Sequence, residues 1–230
     1  MNQEIRLFGA IAVRPAILAL IPRFETATGF TVAVRWELNP TVKKQIEAGE
    51  AFDLVITNPD LIQDLTASGK VKAGSQVAFG RIAMGVAAKA GSRPLDIGSV
   101  EAFEQALKSA RSIAYASEGT SGGYFSGLLE RLGIADEVRP KLVAIPGGQT
   151  APAVGRGEAE LGVVPVTSIL AAAPQVVLVG GFPAELQSYV DFAIGISADS
   201  TDAEAANQLS AFLMSAAVDD MLAARGVERR

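Results

Sequence analysis

Histidine and cysteine are both absent from the 230 residues. Without an imidazole or a thiol there is no His general base, no Ser-His-Asp or Cys-His nucleophile system and no zinc site of the thiolate or imidazole kind. There is no disulfide either. A cysteine-free chain tolerates reducing and oxidising compartments alike, so cysteine usage does not settle location. A strong charge of one sign is also missing. The 20 Lys+Arg stand against 25 Asp+Glu, a net −5, with no basic run of the kind that binds nucleic acid or a membrane surface. Long hydrophobic runs are lacking, because Pro and Gly interrupt every apolar stretch before it could span a bilayer. Met1-Asn2-Gln3-Glu4 opens almost directly into a strand, with no basic n-region, apolar h-region or small-residue cleavage site. The expectation is a cytoplasmic protein, or an exported one whose leader has been removed.

What is present is a large apolar fraction, 49%, which supplies a core and excludes disorder. The length suits between one and two domains. The apolar pattern switches between strand-like and helix-like blocks, the mark of an α/β fold. Ile5-Arg6-Leu7-Phe8 reads as a strand. Val13, Ile17, Leu20, Ile21 and Phe24 follow at helical spacing, with Pro15 in the first turn, where its missing N–H costs nothing. Pro22 is expected to kink or shorten this helix, and Gly29 closes it. Val32, Val34 and Trp36 alternate as a second strand. Asn39-Pro40 reads as an N-cap followed by the first helical residue, and Leu54-Val55-Ile56 as a buried third strand.

After a long extended run over 77–89, a second set of units follows. Ser99 caps a helix, strands fall near 113–116, 142–145, 161–164 and 176–179, and Tyr124, Phe125, Leu128, Leu129 and Leu132 form one helical face. Phe192, Ile194 and Ile196 alternate as a return strand, and Thr201 with Glu204 reads as a capping box opening the terminal helices. Two extended crossings predict two lobes joined by a hinge. One continuous doubly wound sheet is the other reading of the same pattern.

Ligands of α/β units bind at strand C-terminal ends, where helix N-termini present free N–H groups. Four such junctions stand out. The first, Gly9 to Arg14, has small residues (Ala10 and Ala12) that admit a ligand to the backbone, and Arg14 as a bidentate donor for a carboxylate or oxyanion. An ordinary tight turn with a solvated Arg is its plain alternative. The second, Glu37 to Thr41, offers Thr41 as a hydroxyl donor beside Asn39, whose side chain is equally suited to capping. Thr57, at the end of the buried strand, is counted with them. The third is Glu118-Gly119-Thr120-Ser121-Gly122-Gly123-Tyr124. Glycines and hydroxyls directly ahead of an amphipathic helix have the composition of an anion nest. The spacing matches neither a Walker loop nor GxGxxG. The fourth is Gly147-Gly148-Gln149-Thr150, a donor set or a plain helix start. For an enzyme, Ser121 lacks an SxxK partner, Asp219-Asp220 reads as solvated surface, and Asp53 reads as a local cap or pair. The expectation is a protein that binds rather than reacts, with no cofactor and no metal.

The stretches "TGFTV", "QIEAGEAFDLVIT", "SIAYASEGTSGGYFSGLLERLGI" and "GEAELGVV" resemble, over nearly the whole chain, the molybdate-binding-protein-like branch of the bacterial extracellular solute-binding proteins. The resemblance implies the type II periplasmic binding protein fold: two Rossmann-like α/β lobes with a two-strand hinge, here lobe I at 1–82 plus 193–230 and lobe II at 83–192. It also implies a ligand cleft between the lobes, hinge closure on a small anion, a periplasmic location, a monomer, and an ABC-importer permease as partner.

Departures from the branch's pattern fall on its oxyanion donors. The first-loop serine position reads Ala12, a second serine position reads Pro40, and the tyrosine after the "lGvv" strand reads Pro165. Ser121, Gln149 and Thr150 remain. A buried oxyanion without those donors is poorly satisfied. A small organic anion such as a di- or tricarboxylate is therefore expected in preference to molybdate, on Ala10, Ala12, Arg14, Asn39, Thr41, Thr57, Thr120, Ser121, Gly122, Gln149, Thr150 and Pro165. A cytoplasmic sensor of the same fold and a hydrolase on this scaffold are the alternatives.

Overall fold

A computed structural model describes residues 4–229; Met1-Asn2-Gln3, read above as the opening of the chain, lies outside the described residues. The chain runs β1 (Glu4–Ala10), α1 (Arg14–Thr28), β2 (Thr31–Glu37), α2 (Asn39–Glu47), β3 (Leu54–Thr57), α3 (Pro59–Ala67) and the long β4 (Val77–Lys89). It continues through α4 (Val100–Ser109), β5 (Ile113–Tyr115), α5 (Thr120–Arg131), α6 (Ala135–Val138), β6 (Leu142–Ala144), α7 (Thr150–Arg156), β7 (Leu161–Pro165), α8 (Val166–Ala171) and β8 (Val176–Gly181). It closes with β9 (Tyr189–Ile196), α9 (Ala203–Met214), α10 (Asp219–Ala223) and β10 (Val227–Glu228). The fold is the expected mixed α/β one. Two units divide it: Met1–Arg81 with Asp191–Arg230, and Ile82–Val190. The chain passes from one to the other inside β4 and again inside β9.

The first unit is built on β2-β1-β3-β9. β1 runs parallel to β2 and β3, and β9 runs antiparallel to β3. All four residues of β3 are buried, as expected of a strand covered on both faces. Val42 and Ile46 of α2 and Ile62 and Leu65 of α3 pack with Phe8 and Val55. α1 packs against α9 and α10, with Phe24 and Phe212 ring centroids 5.5 Å apart.

α1 runs unbroken through Pro22, contrary to the expectation of a shortened helix. Pro22 itself is exposed, while Ala16, Ile17, Leu20, Ile21 and Phe24 are all buried on the other face. Tertiary burial of that stripe outweighs the one missing hydrogen bond. The capping box is also corrected. Asp202, not Thr201, caps α9, its Oδ1 accepting from the Ala205 N–H at 3.0 Å.

Two polar clasps hold this unit. Asp53 is buried, and its carboxylate accepts from the Arg6 backbone N–H, Arg6 Nε, Arg6 Nη2 and Ser200 Oγ, each at 2.9 Å. Burial pushes its pKa up, but the Arg6 and Ser200 hydrogen bonds and the guanidinium charge outweigh burial and hold it below the usual carboxylate value. Asp53 therefore pairs, though with a residue 47 positions away rather than locally. Arg229 donates to the Phe79 and Leu213 carbonyls, lies 2.9 Å from Asp219 Oδ1, and stacks 5.1 Å from the Phe79 ring centroid.

The second unit orders its strands β8-β4-β7-β5-β6. β5 is parallel to β6 and β7, while β4 is antiparallel to β7 and β8. Phe103 of α4 lies with its centroid 4.8 Å from that of Phe182, and Phe125 of α5 is fully buried.

Candidate functional site

Parallel strands put their C-terminal ends on one edge of a sheet. In the first unit Gly9 lies opposite Trp36 and Ile56, and Ala10 opposite Glu37. That edge collects Ala10, Ala12 and Arg14 from the β1–α1 junction, Asn39 and Thr41 from the start of α2, and Thr57 from the end of β3. Ala10 is buried and Ala12 half-buried. Arg14 is exposed at the first position of α1, and no side chain caps that helix. Among the described residues Arg14 has no ion-pair partner.

Two readings of this edge change. Gly9 does not leave room for a ligand, because a Cβ there would stand 2.3 Å from Trp36 Cζ3. The space belongs to the indole. Asn39 is the first residue of α2 and not its cap, a position taken by Leu38. Its Oδ1 instead accepts the Thr57 hydroxyl at 2.8 Å, with both residues buried. Thr57 is fully buried and its one proton goes to Asn39, so it orients the Asn39 amide.

In the second unit Ile113 lies opposite both Leu142 and Leu161. The matching edge carries Thr120, Ser121 and Gly122 at the start of α5, Gln149 and Thr150 at the start of α7, and Pro165 at the end of β7. α5 has Gly119 at its N-cap, which brings no side chain. The Gly122 and Gly123 N–H groups both reach the Gly119 carbonyl at 3.1 Å. A Cβ on Gly122 would stand 1.9 Å from the Ala116 carbonyl oxygen, so the strand-to-helix loop is folded hard against the first turn. Only glycine permits that approach. Ser121 is half-buried, and Thr120 and Glu118 are exposed.

Thr150 differs from its neighbours. It is 1% exposed, and its Oγ1 is buried without a hydrogen-bond partner. Such a hydroxyl carries a desolvation cost that an incoming acceptor or donor would relieve. Gln149 is exposed at the N-cap of α7 without capping it. Pro165 is buried, pairs with Met84 and leads into α8, a short helix absent from the sequence reading.

Each edge thus presents backbone N–H groups and hydroxyls, the donor types that hold carboxylates and other oxyanions. Among the described residues no cluster of three or more Asp or Glu could hold a metal. Three relationships were not legible in the sequence: the indole over Gly9, the Thr57–Asn39 pair and the orphaned Thr150 hydroxyl. Each depends on which strand lies beside which. The one available signal was Gly9 itself, a glycine inside a strand, which marks a close approach.

A family model for bacterial extracellular solute-binding proteins matches residues 5–228. The chain is similar to a protein of Pseudomonas sp named aconitate isomerase, 30% identical over 205 residues, covering 86% of this chain and 78% of that one. It is also similar to the molybdate-binding protein ModA of Escherichia coli strain K12, 28% identical over 198 residues, covering 84% of this chain and 77% of that one. Among solved structures the periplasmic molybdate-binding protein of Azotobacter vinelandii has the same fold, with a TM-score of 0.84, 19% identity and coverage of 98% and 99%. The isomerase relative overturns the expectation that this is not an enzyme. The absence of His and Cys excludes imidazole and thiolate chemistry only, and a proton shift beside a carboxylate can run on a carboxylate base.

Proposed function

We propose, because the chain belongs to the bacterial extracellular solute-binding proteins, that it captures a small organic polycarboxylate of the aconitate kind. The observation that carries this reading is the buried, unpartnered Thr150 hydroxyl at a strand-to-helix junction, beside a second junction with an uncapped helix start at Thr120-Ser121-Gly122. Both suit an anion with several oxygens. The side-chain hydroxyls that the molybdate branch uses are replaced by Ala12, Pro40 and Pro165, which disfavours a compact tetrahedral oxyanion. The edge of the first unit offers donors of the same kind in Arg14 and Asn39. In this proposal the loops exclude water as they take up the ligand, which strengthens each N–H···carboxylate bond. Delivery to an ABC-importer permease outside the cytoplasm is part of the same reading. Calorimetry with cis-aconitate, trans-aconitate, citrate and molybdate tests it. The expected result is micromolar or tighter binding of a tricarboxylate and weak molybdate binding. Submicromolar molybdate with no tricarboxylate response overturns it.

A second reading is favoured by the isomerase relative. Aconitate carries a CH2 between its double bond and a carboxylate. A carboxylate base can remove one of those protons, breaking C–H and forming O–H while the electron pair spreads over the allylic system. A proton delivered from the carboxyl, which exchanges with solvent, to the other end or to the same carbon after rotation gives the isomer, so no oxidant or co-reactant is needed. With no histidine available, Glu118, in the glycine-rich loop, is the base this reading assigns. Incubation of each aconitate isomer in D2O, followed by proton NMR, tests it. Interconversion with deuterium entering the carbon skeleton, slowed at least a hundredfold in Glu118→Gln, supports it. Tight binding with no conversion leaves capture alone.

A further inference from the structure

The second unit carries a concentration of cations at the end of its sheet away from Thr120, Thr150 and Pro165. Lys89 ends β4, Ser92 and Arg93 lie in the turn after it, Arg111 and Ser112 immediately precede β5, and Glu160 precedes β7. β4 pairs Ala88 with Leu161, and β5 pairs Ile113 with Leu161, so all these residues sit around the β7 N-terminal end. The five-residue β7 separates them from Pro165 by about 13 Å at ~3.3 Å per residue. A cavity of about 490 Å³ is lined by all six, and a neighbouring one of about 350 Å³ shares Ser92, Arg93 and Glu160.

The charge there does not balance. Glu160 is committed to Arg111, accepting from its backbone N–H at 2.8 Å and its Nε at 3.2 Å. The backbone hydrogen bond, aided by the guanidinium and opposed by partial burial, keeps the Glu160 carboxyl below its usual pKa, so it stays ionised. Among the described residues Lys89 and Arg93 have no acidic partner. A Cβ on Gly157 would stand 3.8 Å from Lys89 Nζ, which places the ammonium over the C-terminal end of α7. That helix end supplies only a fraction of a negative charge. Three cations therefore face one carboxylate in a chain whose net charge is −5. The hydroxyls add donors. Ser112 Oγ accepts the Glu160 N–H at 3.1 Å, which leaves its own hydrogen to give.

We propose that this cavity is a binding site for a compact polyanion with phosphoryl oxygens, separate from the polycarboxylate loops. Donors reach it from two chain segments, 89–93 and 111–112, on different strands, which suits a tetrahedral group whose oxygens point in several directions better than a planar carboxylate. Arg111 contributes a guanidinium already oriented by Glu160, and Arg93 and Lys89 contribute unneutralised charge.

Inorganic pyrophosphate is the probe, titrated at 150 mM NaCl into the whole protein and followed by amide NMR and thermal shift. The expected result is saturable binding with perturbed Ser92, Ser112 and Gly157 amides and unmoved Ser121 and Gly122 amides. Lys89→Ala and Arg93→Glu each weaken it at least tenfold and leave the tricarboxylate response intact. Citrate used in place of pyrophosphate gives at most a tenth of the affinity at these amides. Perturbation confined to Ser121 and Gly122, equal binding by wild type and both variants, or no saturation below 10 mM overturns the proposal. Pyrophosphate binding, the amides it perturbs and its loss in the two variants are read whether or not the polycarboxylate reading holds.

Discussion

The indole of Trp36 occupies the place where a side chain on Gly9 would begin, with Cζ3 2.3 Å from that Cβ position. The two residues face each other across β1 and β2 in the parallel register. Gly9 is thus a packing residue at the foot of the first candidate loop. Gly9→Ala must displace the ring. Overpacking of this kind costs roughly 1–3 kcal/mol. Trp36 is the sole tryptophan, so intrinsic fluorescence reads its displacement directly. A changed emission spectrum with a lowered unfolding midpoint is expected, and an unchanged spectrum refutes the contact.

Thr57 and Thr150 are both buried threonines, yet opposite responses to valine are expected. Thr57→Val leaves the buried Asn39 Oδ1 without its 2.8 Å donor. That loss is worth about 1–3 kcal/mol of stability. Thr150→Val removes a hydroxyl that no protein group satisfies, so stability holds or rises. Tricarboxylate affinity falls about tenfold in Thr150→Val, about 1.4 kcal/mol. Denaturant unfolding together with calorimetry separates the two cases.

Gly122→Ala would set a methyl 1.9 Å from the Ala116 carbonyl oxygen, an atom that cannot swing aside without moving the loop. Ligand affinity is expected to fall at least tenfold while the rest of the fold survives. Backbone amide shifts confined to the loop and the first turn of α5 are the check.

Asp53 makes stability depend on acid. Its folded-state pKa lies below the ordinary aspartate value because the Arg6 and Ser200 bonds and the guanidinium overcome burial. Stability from a depressed carboxylate is fully present above the unfolded pKa of about 3.9. It is lost as pH falls through the folded value. Asp53→Asn is expected to cost about 1.5–3 kcal/mol at neutral pH. The gap from wild type should narrow steadily once pH drops below about 4. Unfolding curves of both proteins between pH 7 and 2 measure it, and a constant gap contradicts the pairing.

Arg229→Ala withdraws hydrogen bonds from the Phe79 and Leu213 carbonyls, the Asp219 contact and the cation–π stack at once. A loss of about 2 kcal/mol is expected from hydrogen bonds to a charged group. Faster hydrogen exchange at β10 and at the opening residues of β4 locates the effect.

The sequence was readable where local pattern and tertiary demand agree. The apolar run of β3, the alternation of β2 and the helical stripe of α1 all lie where periodicity puts them, because the residues withdrawn from solvent, wholly in β3 and α1 and partly in β2, are also the regularly spaced ones. Pro22 was misread because its local cost is real but smaller than the burial of five neighbours on the opposite face. The cap of α9 falls on Asp202 and not on Thr201 because both residue types cap well and a one-residue shift is decided by the preceding turn. The donor loops were legible by composition, since glycines and hydroxyls before an amphipathic helix have few other uses. The Arg6–Asp53 clasp, the Thr57–Asn39 bond and the indole over Gly9 were not, because each joins residues from separate chain segments whose adjacency only the assembled sheet decides.

The first unit is discontinuous: β9, α9, α10 and β10 return to it only after Ile82–Val190 has been laid down. The second unit is one uninterrupted segment, so all of its strands leave the ribosome before the first unit has its β9 edge or the helices that cover α1. A chain emerging N-terminus first can therefore finish its later unit before its earlier one. Until then β3 has an open edge and α1 an uncovered apolar stripe. Arg229 reaches Phe79 only once β9, α9 and α10 have taken their places, so this contact ties the closing segment of the first unit to its opening one.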